Sequence, residues 1–208
     1  MTDIKSIIQE KEIPFLVHFT NLKNLDSIFK HGLVPRDQLG RLESESEIND
    51  ENRLDGHEDS ISLSISFPNC QMFYKIRQTS EDQYCSLARS PKLLLEKNSA
   101  FCKYNAADSA ISTQDINALK SPEALLSMFD ELTTQRSREE QKLKPCDPTD
   151  VQAEVLVFGS IPKSYIVAVV FPDKASSDGY KGLIGACKSY VHNPNKGFYG
   201  TRTFYREY

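Results

Sequence analysis

Residues 149–166 read TDVQAEVLVFGSIPKSYI. Val155-Leu156-Val157-Phe158 is a short block of β-branched, aliphatic and aromatic side chains, the pattern of a buried strand. Gly159 and Pro162 close the block with a turn. Tyr165 to Phe171 then predicts a second buried strand. Glu154 stands at the entrance of the first block. A carboxylate at the lip of a core strand is held rigidly yet still faces a cleft, which suits a catalytic group. On this stretch alone, a solvated glutamate at a sheet edge is the alternative.

The surrounding chain bounds the reading. Its 208 residues suffice for one domain with its own core, expected over 1–208. Hydrophobic residues make up 39% and charged residues 26%, as in an ordinary globular protein. A net charge of -4 excludes a polycation, so nucleic-acid binding requires a local patch. The cysteines Cys70, Cys85, Cys102, Cys146 and Cys187 show no CxxC spacing. Their odd number, with no recognisable signal peptide, predicts free thiols in a cytoplasmic protein. No paired Cys or His spacing suggests a zinc site, and no apolar run has a membrane helix's length of about 20 residues.

From the start, residues 1–11 predict a short helix ending before Pro14. Phe15-Leu16-Val17-His18-Phe19 predicts a strand. Thr20 or Asn21 caps the next helix, whose buried face is Leu22, Leu25, Ile28 and Phe29. Gly32 stops that helix. His18 and Thr20 thereby stand together near a helix start, which suits an anion or ribose site, with a core histidine as the alternative. Arg36 to Asp59 is a long acidic stretch with eight carboxylates from Glu43 to Asp59. It reads as a surface loop or lid. Arg53 lies at its base, where a guanidinium is able to clamp phosphate bidentately.

Ile61-Ser62-Leu63-Ser64-Ile65-Ser66-Phe67 alternates apolar residues with serines, a half-buried strand with a small polar face. Pro68 and Asn69 start a helix carrying Met72, Phe73, Tyr74 and Ile76. The serines leave room beside a ligand, and Phe and Tyr stack on rings; core packing is the alternative for Met72 and Phe73. The Leu93-Leu94-Leu95 run predicts another strand within 90–101. Ser121-Pro122-Glu123 opens a helix with Leu125, Leu126, Met128, Phe129 and Leu132 inward. Arg136, Arg138, Lys142 and Lys144 then form a basic loop before Glu154, positioned to touch a nucleic acid or simply solvated. At the C-terminus, Lys188, Lys196, Arg202 and Arg206 interleave with Tyr190, Phe198, Tyr199, Phe204, Tyr205 and Tyr208. That alternation fits either phosphate contact with base stacking or an amphipathic closing strand.

Four stretches taken in order carry a resemblance. They are His18-Phe19-Thr20 with the following NLxxI and Gly32-Leu33; Arg53-Leu54-Asp55-Gly56; Ser66-Phe67-Pro68-Asn69 with Met72-Phe73-Tyr74; and Gln152-Ala153-Glu154-Val155-Leu156-Val157. The set resembles the DarT family, toxins that ADP-ribosylate nucleic-acid bases and pair with a macrodomain antitoxin of the DarG type. The resemblance runs from about Phe15 to the end.

It implies a mixed α/β (α+β) ADP-ribosyltransferase fold, with a split central β-sheet flanked by helices and an NAD cleft. Glu154 matches the catalytic glutamate, and Arg53 the essential arginine near the NAD phosphates and reactive ribose. His18, Phe19, Thr20, Phe67, Met72 and Tyr74 fall in the cofactor-binding stretches. Residues 36–53 correspond to an NAD-covering loop. Residues 136–152 correspond to the substrate loop, which assigns Arg136, Arg138, Lys142, Lys144 and Gln152 to nucleic-acid contact. NAD is implied as co-substrate, with no metal. One departure bears on the acceptor: thymidine-modifying members carry a DYVPFYF-type strand followed by PRSPM, whereas here Pro68-Asn69-Cys70-Gln71-Met72 follows the strand. This resembles the guanine-modifying branch acting on single-stranded DNA. RNA bases or a protein acceptor are the alternatives. The expected protein is a cytoplasmic monomer.

Overall fold

The computed structural model describes residues 3–40, 55–193 and 197–207. Its strands are β1 (Leu16–Asn21), β2 (Ser60–Ile65), β3 (Tyr84–Arg89), β4 (Ser99–Cys102), β5 (Glu154–Phe158), β6 (Ile166–Phe171) and β7 (Lys188–Val191). The helices are α1 (Ile4–Glu10), α2 (Leu25–His31), α3 (Arg36–Leu39), α4 (Cys70–Thr79) and α5 (Leu93–Glu96). They continue with α6 (Ser109–Ser112), α7 (Pro122–Ser127), α8 (Lys174–Gly179), α9 (Lys181–Ile184) and α10 (Arg202–Glu207).

The strands form one seven-stranded sheet in the order β4-β5-β2-β1-β3-β6-β7. All neighbours are antiparallel except β6 and β7. The sheet is split at its centre. β1 pairs with β3 along all six of its residues, but with β2 only at Leu16↔Ile65 and Val17↔Ser64. Beyond Val17 the two central strands diverge. The expected split sheet flanked by helices is therefore the observed one.

Alternation along β2 sorts its two faces. Ile61, Leu63 and Ile65 join the main core with Leu16, Leu87, Val155, Val157, Val169 and Phe171. Helices α1, α2, α5, α7 and α9 cover this face through Ile7, Leu25, Ile28, Leu93, Leu125 and Ile184. On the opposite face, two apolar patches lie at its ends. At the β4–β5 end, Ala100, Cys102 and Leu156 pack with Ile111 and Leu119. At the β1–β3 end, Phe73, Tyr84 and Tyr199 pack with Phe19, whose ring stacks on Phe73 at 4.7 Å. The serine row of β2 lies between these two apolar patches.

Local chemistry sets the element ends. Asn21, rather than Thr20, caps the 3-10 turn Leu22–Asn24 that leads into α2: its Oδ1 accepts from the Lys23 N–H at 3.0 Å. Asn69 caps α4 by accepting from the Met72 N–H at 3.1 Å. Gly32 ends α2 with φ 84°, and a Cβ there would lie 2.4 Å from the Ile161 carbonyl oxygen. Only glycine lets the α2 exit bond to Ile161, through Leu33 N–H to Ile161 O at 2.9 Å and the reverse at 2.8 Å.

One expectation is corrected and one is narrowed. The Leu93-Leu94-Leu95 run is the helical turn α5, not a strand; Leu93 and Leu94 are buried and Leu95 is exposed. Three consecutive leucines carry no period, and the strands fall on either side of them, in β3 and β4. Among the described residues of the C-terminal segment, 188–191 alone form a strand, at the sheet edge. This is the exposed β7, and Arg202 and Arg206 lie on α10.

Candidate active site

Glu154 is the first residue of β5, opposite Cys102 of β4. The β2–β5 register runs to Leu63↔Val155. One further step brings Glu154 beside Ser64, the residue paired with Val17. Paired residues share a face, so Glu154 belongs to the serine row rather than to the core.

Glu154 is 8% exposed. Asn105 Nδ2 donates to its Oε1 at 3.2 Å, and the Ala106 backbone N–H donates to its Oε2 at 3.1 Å. Asn105 is itself oriented, since its Oδ1 accepts from the Ala107 N–H at 3.0 Å. These donors on one buried carboxylate fix its plane. The field of the carboxylate reaches the neighbouring strand: the Cys102 thiol is pushed up to about 12, first by burial and then by Glu154. Asn105 and Ala106 carried no assignment from sequence. An Asn shortly after a strand is a turn signal, and nothing local tells that its amide reaches a carboxylate 49 residues away.

His18 lies where the sheet opens. Its Nδ1 donates to the Ser62 carbonyl oxygen at 3.1 Å. The ring thus bridges β1 and β2 past their last paired residues, and in the neutral form Nε2 is an acceptor. Thr20 is 2% exposed, and its Oγ1 accepts from Asn24 Nδ2 at 2.9 Å, so the hydroxyl seats the turn into α2. Phe19 packs under α4. Phe67 is 2% exposed, edge-on to Phe198 at 5.5 Å and beside Tyr205 at 5.3 Å. Its ring is an internal support rather than a stacking face. Met72 is half-buried, and Tyr74 is 59% exposed on the outer side of α4. Arg53 and most of the expected covering loop lie outside the described residues.

The structure brings together Glu154 and the serine row of β2; His18, paired with Leu87, belongs to the core face and meets β2 only through the Ser62 backbone carbonyl. The basic loop splits into two kinds of cation. Arg136, Lys142 and Lys144 are exposed. Arg138 is turned inward: it donates to the carbonyls of Asp147 at 2.7 Å and Lys144 at 3.0 Å, and to Thr149 Oγ1 at 2.8 Å. Its guanidinium builds the loop. Gln152 is half-buried, and its backbone N–H donates to Asp150 Oδ1 at 2.7 Å.

The loop is anchored at Asp147, which is wholly buried. Arg206 donates to both its carboxylate oxygens at 2.7 Å, Ser66 Oγ to Oδ1 at 2.7 Å and the Lys144 N–H to Oδ2 at 2.9 Å. Burial alone would raise the Asp147 pKa, but these bonds outweigh it and hold the carboxyl below its ordinary value. A cavity of about 1000 Å³, lined by Val167, Val170, Tyr190, Val191 and Phe198, lies along β6 and β7. It includes neither Glu154 nor His18.

A family model described as DarT, ssDNA thymidine ADP-ribosyltransferase, matches residues 17–199. Among solved structures, the chain resembles Thermosipho africanus DarTG in complex with ADP-ribose, with TM-score 0.60 and 14% identity, over 89% of this chain and 51% of that one. It also resembles Thermus sp. 2.9 DarT in complex with NAD+, with TM-score 0.57 and 15% identity, over 87% and 96% of the two chains. The same Thermus protein in complex with ADP-ribosylated ssDNA gives TM-score 0.58 and 13% identity, over 87% and 95%. The chain thus spans about half of the Thermosipho protein and nearly all of the Thermus one. No curated protein sequence matches.

Proposed function

The chain belongs to the DarT family of ssDNA ADP-ribosyltransferases, and from that premise we propose that Glu154 transfers ADP-ribose from NAD to a base in single-stranded DNA, with guanine as the acceptor. One observation carries this reading: a buried carboxylate with both oxygens oriented, on the polar row beside the sheet split. The serine side chains of that row are small and polar, which suits contact with a nucleotide.

NAD, when bound, supplies the ADP-ribosyl group and a neutral leaving nicotinamide. The glycosidic C–N bond breaks with its electron pair going to nicotinamide, and a base nitrogen forms the new bond at the same carbon. Glu154 hydrogen-bonds the ribose and stabilises the positive charge developing there. It then takes the proton lost by the attacking nitrogen. Asn105 and Ala106 hold the carboxylate in place through both steps, so little ordering remains for the reaction itself. Arg53 is proposed to hold the phosphates. Pairing in a duplex hides the base edge, which favours a single strand.

The exposed Arg136, Lys142 and Lys144 support phosphate contact by the substrate loop, with Gln152 at its inner end. Guanine rests on the residues after β2, Pro68-Asn69-Cys70-Gln71-Met72, although the family description names thymidine. Modified template bases would block replication in the cytoplasm, where a macrodomain antitoxin of the DarG type is the proposed partner of a monomeric toxin.

The test is incubation with NAD and single-stranded oligonucleotides of each base, followed by mass spectrometry of the digested products. An ADP-ribose adduct on guanine is expected. An adduct on thymine overturns the base assignment, and labelling of RNA or protein alone overturns the acceptor.

A further inference from the structure

We propose that α10 is a clasp on the substrate loop, with Arg202 and Arg206 acting as positioning residues for the acceptor strand. The proposal rests on the acceptor reading above and adds to it a segment beyond the family match, which ends at residue 199.

Arg202 and Arg206 are four residues apart, so they project from one face of α10. Both reach the same turn. Arg202 donates to the carbonyls of Pro148 at 2.6 Å and Thr149 at 2.8 Å. Arg206 grips Asp147 through two bonds of 2.7 Å, with side-chain exposures of 5% and 0%. Arg138 holds the same turn from the loop side through Asp147 O and Thr149 Oγ1. Residues 147–149 are therefore fixed by three guanidiniums from two directions.

The clasp also reaches β2. Ser66 has φ 61°, an uncommon conformation for a residue with a Cβ, and its hydroxyl bonds to Asp147 at 2.7 Å. The exit from the serine row and the approach to Glu154 thus share one buried carboxylate. From Asp147 the chain is pinned again at Thr149, whose N–H donates to Met128 O at 2.9 Å, before it enters β5 at Glu154. A charge pair of this burial is strongly disfavoured when one partner is removed, because the other is left uncompensated. Freed from α10, the loop loses its fixed position relative to Glu154, while the Asn105 and Ala106 bonds to that carboxylate stay intact.

The test compares the wild type with Arg206→Ala, Arg206→Lys and a truncation after Gly200. For the two point variants, oligonucleotide KM is expected to rise about tenfold, with NAD cleavage in the absence of oligonucleotide within about twofold. Trypsin cleavage after Arg136 and Lys142 is expected to accelerate in all three. Arg206→Lys keeps the charge but loses the paired bonds, so it separates positioning from charge even if the truncation does not fold. Unchanged oligonucleotide KM with unchanged proteolysis overturns the clasp, as does a parallel fall of NAD cleavage and transfer. If the wild type modifies no nucleic acid, the acceptor reading fails, and the proteolysis comparison still decides whether α10 holds the loop.

Discussion

The backbone N–H of Ala106 donates to Oε2 of Glu154 at 3.1 Å, joining the turn after β4 to the first residue of β5. The β4–β5 ladder ends at this point, at Cys102↔Glu154. The carboxylate takes up the donors of the turn that follows. The carboxylate proposed to act in transfer is thereby positioned by a backbone N–H.

Replacing Glu154 by Gln retains size but removes the charge and the proton acceptor. Transfer to oligonucleotide is expected to fall by about 10²–10⁴-fold, while NAD affinity measured by calorimetry stays near wild type. Transfer at the wild-type rate would remove Glu154 from the chemistry.

Asn105→Ala deletes the Nδ2 donor to Glu154 and leaves the Ala106 N–H. The expected result is a fall in kcat of about tenfold with little change in the KM for NAD, read from steady-state kinetics. A change confined to KM would mean that Asn105 contacts substrate rather than orienting Glu154.

Arg136 and Arg138 separate cleanly. Arg138→Ala loses three bonds within its own loop and is expected to lower unfolding free energy by about 2 kcal/mol. Arg136→Ala, on an exposed side chain, should stay within about 0.5 kcal/mol of wild type. The Arg136 variant should instead weaken oligonucleotide binding and reduce the salt dependence of log K by about 0.7. Denaturant titration and binding at several salt concentrations read the two effects.

The pH dependence of stability follows from Asp147. Its folded pKa lies below the ordinary 3.8, so the stabilisation is fully present above that value. It is lost as pH falls through the folded value. Asp147→Asn should therefore differ most from wild type near neutral pH, and the gap should narrow below about 3.8. A gap that stays constant through the acid range would show that the Asp147 charge is not its source.

Gly32→Ala places a Cβ against the Ile161 carbonyl at a positive φ. A loss of about 2 kcal/mol or more is expected in thermal or denaturant unfolding. An unchanged midpoint would mean that the α2 exit shifts without strain.

Much of this protein was legible in its sequence. The serine alternation of β2 and the apolar block after Glu154 depend only on neighbouring side chains and on the two-residue period of a strand, so they declared themselves locally. The ordered motifs brought the family and the split sheet with them. What the tertiary structure alone decided involves partners far apart in the chain: Asn105 on Glu154, His18 across the split to Ser62, and Arg202 and Arg206 on the turn at 147–149. The same composition of Arg, Lys and aromatics describes a phosphate-binding patch or an internal clasp. Which one results depends on whether the fold places carbonyls and a carboxylate within reach of the guanidinium, and only long-range packing sets that.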